Sequence, residues 1–222
     1  MELIKEIWHY YEHNGSYVLS EIFRHFLMSA YGVLFAAIIA IPLGIFLARY
    51  SRLSPVVFSI VNIIQTIPAL AMLAVLMLVM GLGPNTVVMA LFLYSILPIL
   101  RNTYTGILSV DKALTESGNG MGMTKFQLLR MVELPLALSV IIAGLRTALV
   151  IGISIATIGA FIGAGGLGDI IIRGTNAADG TAIILAGAIP TALIAVFADL
   201  FMGWIEKQLN HETKIKRRNR TA

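Results

Sequence analysis

The residues most able to do chemistry lie between Glu116 and Pro135, in the stretch ESGNGMGMTKFQLLRMVELP. It is charged and punctuated by Gly118, Gly120 and Gly122, and it sits between long uncharged apolar runs. A carboxylate on a short helix beside a glycine turn suits contact with another protein better than bond breaking. Groups for catalysis are scarce elsewhere. No cysteine occurs, so thiol nucleophiles and Cys-ligated metals are excluded. His9, His13, His25 and His211 are expected outside the membrane spans, which would leave no buried histidine relay. No Gly-x4-Gly-Lys-[Ser/Thr] phosphate loop is present, so nucleotide chemistry would fall to a partner. Gly163-x-Gly165-x-x-Gly168 matches a dinucleotide fingerprint but lacks the strand and the soluble βαβ unit that the fingerprint requires. It is expected to form a flexible outer turn in which Asp169 and Arg173 could receive a partner. No metal site and no nucleic-acid partner are expected.

The elements that must position these groups are membrane helices. With 58% hydrophobic and 13% charged residues, the chain departs far from soluble composition. Each crossing needs about 20 apolar residues, so 222 residues accommodate five or six crossings and little more. The N-terminus carries Glu2, Glu6, Glu12 and Glu21 and lacks the pattern of a signal peptide. Charge-free runs predict helices near 27–48, 56–80, 86–108, 136–161 and 182–204 within a domain of residues 25–206. Segment 1–24 precedes them, and a basic tail at 207–222 follows. The turn at Gly81–Asn85 separates the second helix from the third. Placing 49–54, 101–135 and the tail inside gathers twelve of the sixteen Lys and Arg residues there. The expected topology is therefore five crossings, N-terminus outside and C-terminus inside. The tail reads as a solvated stop that attracts lipid headgroups.

The 111–135 segment then lies in the cytoplasm. Asp111 can cap a helix over about 112–121, and Gly122 is a natural site for a sharp turn. Thr124 and Gln127 form a capping-box pair that restarts a helix running toward Pro135. On spacing alone an amphipathic connector resting on the membrane surface fits equally well.

Glu116-Ser117-Gly118, three residues, Gly122, nine residues, Val132, one residue, Leu134-Pro135 resembles the E-A-A-x3-G-x9-I-x-L-P signature of permease subunits of bacterial ATP-binding cassette importers. Ser117, Gly118 and Val132 are small or conservative departures. The runs Asn62–Leu70, Leu97–Ile107 and Phe161–Asp169 are similar to the osmoprotectant branch, which imports glycine betaine, carnitine and choline. The resemblance implies an all-α membrane protein with the five-helix core of a type I importer. Its implied partners are two ATPase subunits, a second permease, homologous or identical, and an extracellular substrate-binding protein. ATP and Mg would be held by the ATPase, with no cofactor in this chain. The segment would be the coupling helix, with Glu116, Ser117 and Gly118 at the joint, Gly122 as its turn and Leu134-Pro135 as the re-entry to the bilayer. A related importer of another small zwitterion or amino acid fits the same motifs.

Polar groups within the spans are the candidates for a pathway: Asn62, Gln65, Thr66 and Pro68, then Tyr104, Arg146, Thr147, Ser154 and Thr157. Helix-to-helix hydrogen bonding is the competing role for each. Arg146 would cost roughly 2.5–3.5 kcal/mol at mid-membrane, so it should face a cavity or pair with Asp199 or Glu133. Trp8, Tyr10, Tyr11 and Tyr17 suit an interfacial anchor. A membrane enzyme or a lone proton-coupled carrier would need paired acidic groups at membrane depth, where only Asp199 is expected.

Overall fold

An apolar chain in a bilayer must satisfy its backbone internally, and this one does so with helices. The computed structural model describes residues 2–209, in the order α1 (Glu2–Arg49), α2 (Ser54–Thr66), α3 (Ala69–Met80), α4 (Pro84–Leu108), α5 (Lys112–Gly120), α6 (Lys125–Leu128), α7 (Leu134–Ile158), α8 (Leu167–Thr175) and α9 (Thr181–Leu209). The basic tail expected at 207–222 falls outside the described residues from 210 onward.

Helix α4 is central, and its neighbours reach it through small residues. Gly32, Ala36, Ala40 and Gly44 recur every fourth position on α1 and are all buried. A Cβ on Gly32 would lie 2.4 Å from Leu91 Cβ, and one on Gly44 would lie 2.7 Å from Thr103 Cβ. Backbones approach closely because nothing stands between them, which is how packing drives helix association in lipid. Helix α7 packs against both α4 and α1 in the same way, with Gly144, Ala148, Gly152 and Ala156 buried at the same spacing. A Cβ on Gly144 would lie 2.9 Å from the Pro98 carbonyl oxygen.

Three boundaries differ from expectation. Helix α1 begins at Glu2, twenty-five residues before the predicted start at 27, with one non-helical residue at Asn14 (φ −121°, ψ 16°). Glu21 is therefore buried in the bundle and not in a separate outer segment, and His25, expected outside the spans, is buried in α1 with it. The single helix predicted over 56–80 is broken: Ile67 is extended and Pro68 caps α3, so α2 and α3 meet at 94°. Pro68 has no N–H and disfavours helical geometry in the residue before it. The predicted start of the fourth helix at 136 also shifts. A continuous helical path runs from Lys125 through a π-helical turn at Leu129–Glu133 into α7, and Leu134-Pro135 lies within it instead of opening it.

The broken pair still crosses the bundle. Ser54 at the start of α2 lies 3.3 Å from the Tyr104 hydroxyl, at the end carrying α5. The amide of Gly83, just past α3, donates to the Ile162 carbonyl at the opposite end. Four helices among the described residues are long and apolar enough to cross a membrane, and counting α2–α3 as one span makes five.

The expected flexible turn at 163–169 is only partly a turn. Gly163, Gly165 and Gly166 have φ of +70°, +73° and +79°, after which α8 begins at Leu167. The amide of Gly166 donates to the buried Glu21 carboxylate. A Cβ there would sit 3.0 Å from His25 Nδ1, so glycine is required by conformation and by space.

Candidate functional site: an exposed helix joined to a paired-charge core

Asp111 opens α5 by accepting the amide of Ala113 at 2.9 Å, as its position before an apolar-poor helix predicts. The helix closes in a Schellman motif. The amide of Met123 reaches the Gly118 carbonyl at 3.1 Å, that of Gly122 reaches Asn119 at 3.0 Å, and Gly122 takes φ +79°. Thr124 then restarts the chain with a full capping box: its Oγ1 accepts from Gln127 at 3.3 Å and its amide donates to Gln127 Oε1 at 2.8 Å. Helix, hinge and helix are thus all present as expected. Gly118 is buried where α5 crosses α6, with Leu128 Cδ1 2.7 Å from the position of a Cβ.

The surface of this element is open. Glu116 and Ser117 are exposed; Ser117 binds only the Ala113 carbonyl, and Glu116 forms no ion pair among the described residues. Met121 is 72% and Phe126 68% exposed, so the same element presents an acidic group and two large apolar side chains to its surroundings. Behind them, buried Glu133 in the π-helical turn pairs with Arg49 at the end of α1. That ion pair fastens the segment to the first span.

Of the two partners proposed for Arg146, the structure selects Asp199. The guanidinium donates to both carboxylate oxygens at 2.6 and 2.7 Å, and adds a 3.2 Å bond to Glu206. Gly203 makes room, because a Cβ there would lie 3.0 Å from Arg146 Nη1. Asp199, Gly203 and Glu206 share one face of α9 at i, i+4 and i+7, so sequence spacing could have revealed Glu206. With Thr147 and Val150, these charges line a concavity of about 390 Å³.

The other pathway candidates do not converge on one spot. Thr147, Ser154 and Thr157 donate to carbonyls of their own helix, at Ala143, Val150 and Ile153. Tyr104 packs edge-on against Phe58, with ring centroids 5.3 Å apart, near the α5 end. Asn62, Gln65, Thr66 and Pro68 gather at the α2–α3 break. Tyr94, which the sequence reading omitted, joins them: its hydroxyl donates to the Ile67 carbonyl, and its own carbonyl accepts from Gln65 Nε2 at 2.8 Å.

At the opposite end Asp169 and Arg173 meet as an i, i+4 pair on α8 at 2.8 Å. Tyr17 donates to Asp169 at 2.5 Å and lies beneath the Arg173 guanidinium, 4.9 Å from the ring centroid. Tyr17 and Tyr11 therefore bind protein groups, where an interfacial anchor was expected. His25, expected outside the spans, is fully buried and donates Nε2–H to the Ile153 carbonyl at 2.9 Å.

Residues 40–211 match the family described as a binding-protein-dependent transport system inner membrane component. Over 216 residues the chain is 71% identical to the glycine betaine/carnitine/choline transport system permease protein OpuCD of Bacillus subtilis strain 168, covering 97% of this chain and 94% of that protein. It is 70% identical to the carnitine transport permease protein OpuCD of Listeria monocytogenes serotype 1/2a strain 10403S, over 95% of this chain and 94% of that one. Identity to the choline transport system permease protein OpuBD of Bacillus subtilis is 69%, over 95% and 93% of the two chains. Among solved structures, an inward-facing form of the MetNI methionine ABC transporter superposes with a TM-score of 0.78 over 86% of this chain and 95% of that one. At 21% identity, that likeness is one of fold.

Proposed function

Because the chain belongs to the family of binding-protein-dependent transport system inner membrane components, we propose that it is the permease subunit of an ATP-driven importer of glycine betaine, carnitine and choline. The observation that carries this reading is near-full-length identity of 69–71% to permeases whose names specify those three solutes. The chain is a multi-pass membrane protein and a non-catalytic transporter component; a partner hydrolyses ATP and holds Mg. Two ATPase subunits, a second permease and an extracellular substrate-binding protein complete the assembly.

The geometry supports a division of labour. The α5 end faces the cytoplasm, where Glu116, Met121 and Phe126 seat in the ATPase and Gly122 sets the angle of α5. The Schellman turn and capping box stiffen the joint, while Arg49–Glu133 passes its displacement to α1 and α7. The Asp169–Arg173 end faces outward and receives the binding protein. Transport then needs two arrangements of the permease pair, biased by ATP through α5. The test is uptake of labelled betaine, carnitine and choline by the reconstituted complex. Uptake of at least one, dependent on ATP and on the binding protein, is the expected result. Failure with all three alongside transport of another small zwitterion would overturn the substrate assignment.

A further inference from the structure

The break between α2 and α3 has a construction that the transport reading leaves unused. Pro98 has no N–H to give the carbonyl of Tyr94, four residues earlier on α4. Gln65 supplies the missing donor at 2.8 Å. In return, the Tyr94 hydroxyl donates to the carbonyl of Ile67, the extended residue at the break. Pro98 orphans the Tyr94 carbonyl and the extended turn at Ile67 takes a second carbonyl out of the helical ladder, and one Gln–Tyr exchange serves both. The break is thus built in, with its geometry held by α4 near the middle of that helix.

What the break faces follows from the α2 surface. Val56, Ile60 and Ile63 are 55–64% exposed and form an apolar stripe suited to lipid. Ser59, Asn62 and Thr66 recur at three- and four-residue spacing on an adjacent stripe, and they are exposed or half-buried. Thr66, Ile67 and Pro68 are exposed where the helix is interrupted, and α3 starts with no side-chain cap, leaving its first amides without helical partners. Irregular backbone at membrane depth is tolerated only inside protein or beside water.

We infer that the polar stripe Ser59–Asn62–Thr66 and the break at Ile67–Pro68 line the water-filled translocation pathway, with Tyr94 as the positioning residue that sets the break's geometry. The inference rests on the transport reading above. It assigns the pathway to one side of α2 and lipid to the other, a boundary that falls between Ser59 and Ile60.

This chain has no cysteine, so an introduced cysteine is the sole thiol of its own subunit and is read on that subunit after the complex is separated. Ser59→Cys, Asn62→Cys and Thr66→Cys are compared with Val56→Cys, Ile60→Cys and Ile63→Cys in the full complex in membrane vesicles. The probe is a membrane-impermeant trimethylammonium methanethiosulfonate. The polar-stripe variants should react about tenfold faster or more, because only water sustains the thiolate and the cationic reagent. Adding Tyr94→Phe to Thr66→Cys should change the labelling rate by about threefold or more and lower maximal uptake with KM unchanged, with melting temperature as the control for folding. Equal rates on both stripes would overturn the inference, as would a silent polar stripe that instead forms disulfide-linked permease pairs. Uptake measured on the same variants separates the two readings: retained uptake with flat labelling rejects only the pathway assignment, whereas absent uptake in the complex carrying the unsubstituted chain rejects the transport reading.

Discussion

Glu116 is the clearest single residue to test, since its carboxylate is exposed, unpaired among the described residues and mounted on a helix capped at both ends. A hydrogen bond to a charged group contributes about 1.5–3 kcal/mol. Glu116→Ala should therefore lower ATP-coupled uptake by about tenfold or more while membrane insertion and basal ATPase activity persist. Gly122→Asp should act similarly by straining the φ +79° turn. Normal uptake in both variants would sink the coupling role. Arg146 is different, because its neighbours depend on it. Arg146→Ala leaves Asp199 and Glu206 without their shared cation and should lower the melting temperature, by an amount that solvent at this partly exposed site keeps modest. Arg146→Lys should recover part of this, since lysine cannot reproduce the two-pronged contact with Asp199. Thermal unfolding in detergent measures both.

At the scale of elements, prolines and small residues govern how the helices meet. Pro190 denies a donor to the Ala186 carbonyl on α9, and the Tyr11 hydroxyl supplies one at 3.1 Å. Tyr11→Phe should cost about 1 kcal/mol alone, and less in a Pro190→Ala background, where the backbone satisfies that carbonyl itself. A double-mutant cycle on melting temperature reads the coupling; strict additivity would refute the pairing. The α1–α4 seam has no such slack. Gly32→Val would force a Cβ to within 2.4 Å of Leu91 and should prevent stable assembly. Gly118→Ala meets only the flexible ends of Leu128 at 2.7 Å and Met123 at 3.3 Å, so α5 should absorb it with little loss of uptake. The alanine of the signature and the glycine found here are then interchangeable on packing grounds.

For the whole molecule, the two ends of the bundle carry different equipment. One carries α5 and the Arg49–Glu133 pair; the other carries Tyr17, Asp169, Arg173 and the Gly166 turn clamped by Glu21. If the charge distribution sets orientation, Lys5 and Arg173 lie outside. Impermeant labelling of Asp179→Cys in intact cells should succeed, and labelling of Asn119→Cys should require permeabilisation; the reverse pattern would invert the topology. Copurification in mild detergent should retain an ATPase, and Glu116→Ala combined with Phe126→Ala should weaken that retention more than either change alone.

Much of this was legible before any coordinates. Long charge-free runs determine long apolar helices because a bilayer leaves the backbone no alternative to helix. Caps and glycines determine α5, its turn and α6, because Asp111, Gly122, Thr124 and Gln127 act on amides within a few residues of themselves. Local chemistry of that kind is written in the sequence at short range. The tertiary structure decided what depends on distant residues. Pro68 marked a weak point in the second span, but a 94° break needed Tyr94 and Gln65 across the helix interface to hold it. The partner of Arg146 could have been Asp199 or Glu133; one continuous helical path carries Glu133 and Arg146 too far apart to meet, about 20 Å along the axis, and α9 brings Asp199 to the guanidinium instead. Glu21 and His25 were read as outer residues from their charge, and burial became possible only where the Gly166 amide and the Ile153 carbonyl were brought to meet them. A polar group can enter an apolar bundle when its partner is already in place, and only the assembled fold fixes where that partner stands.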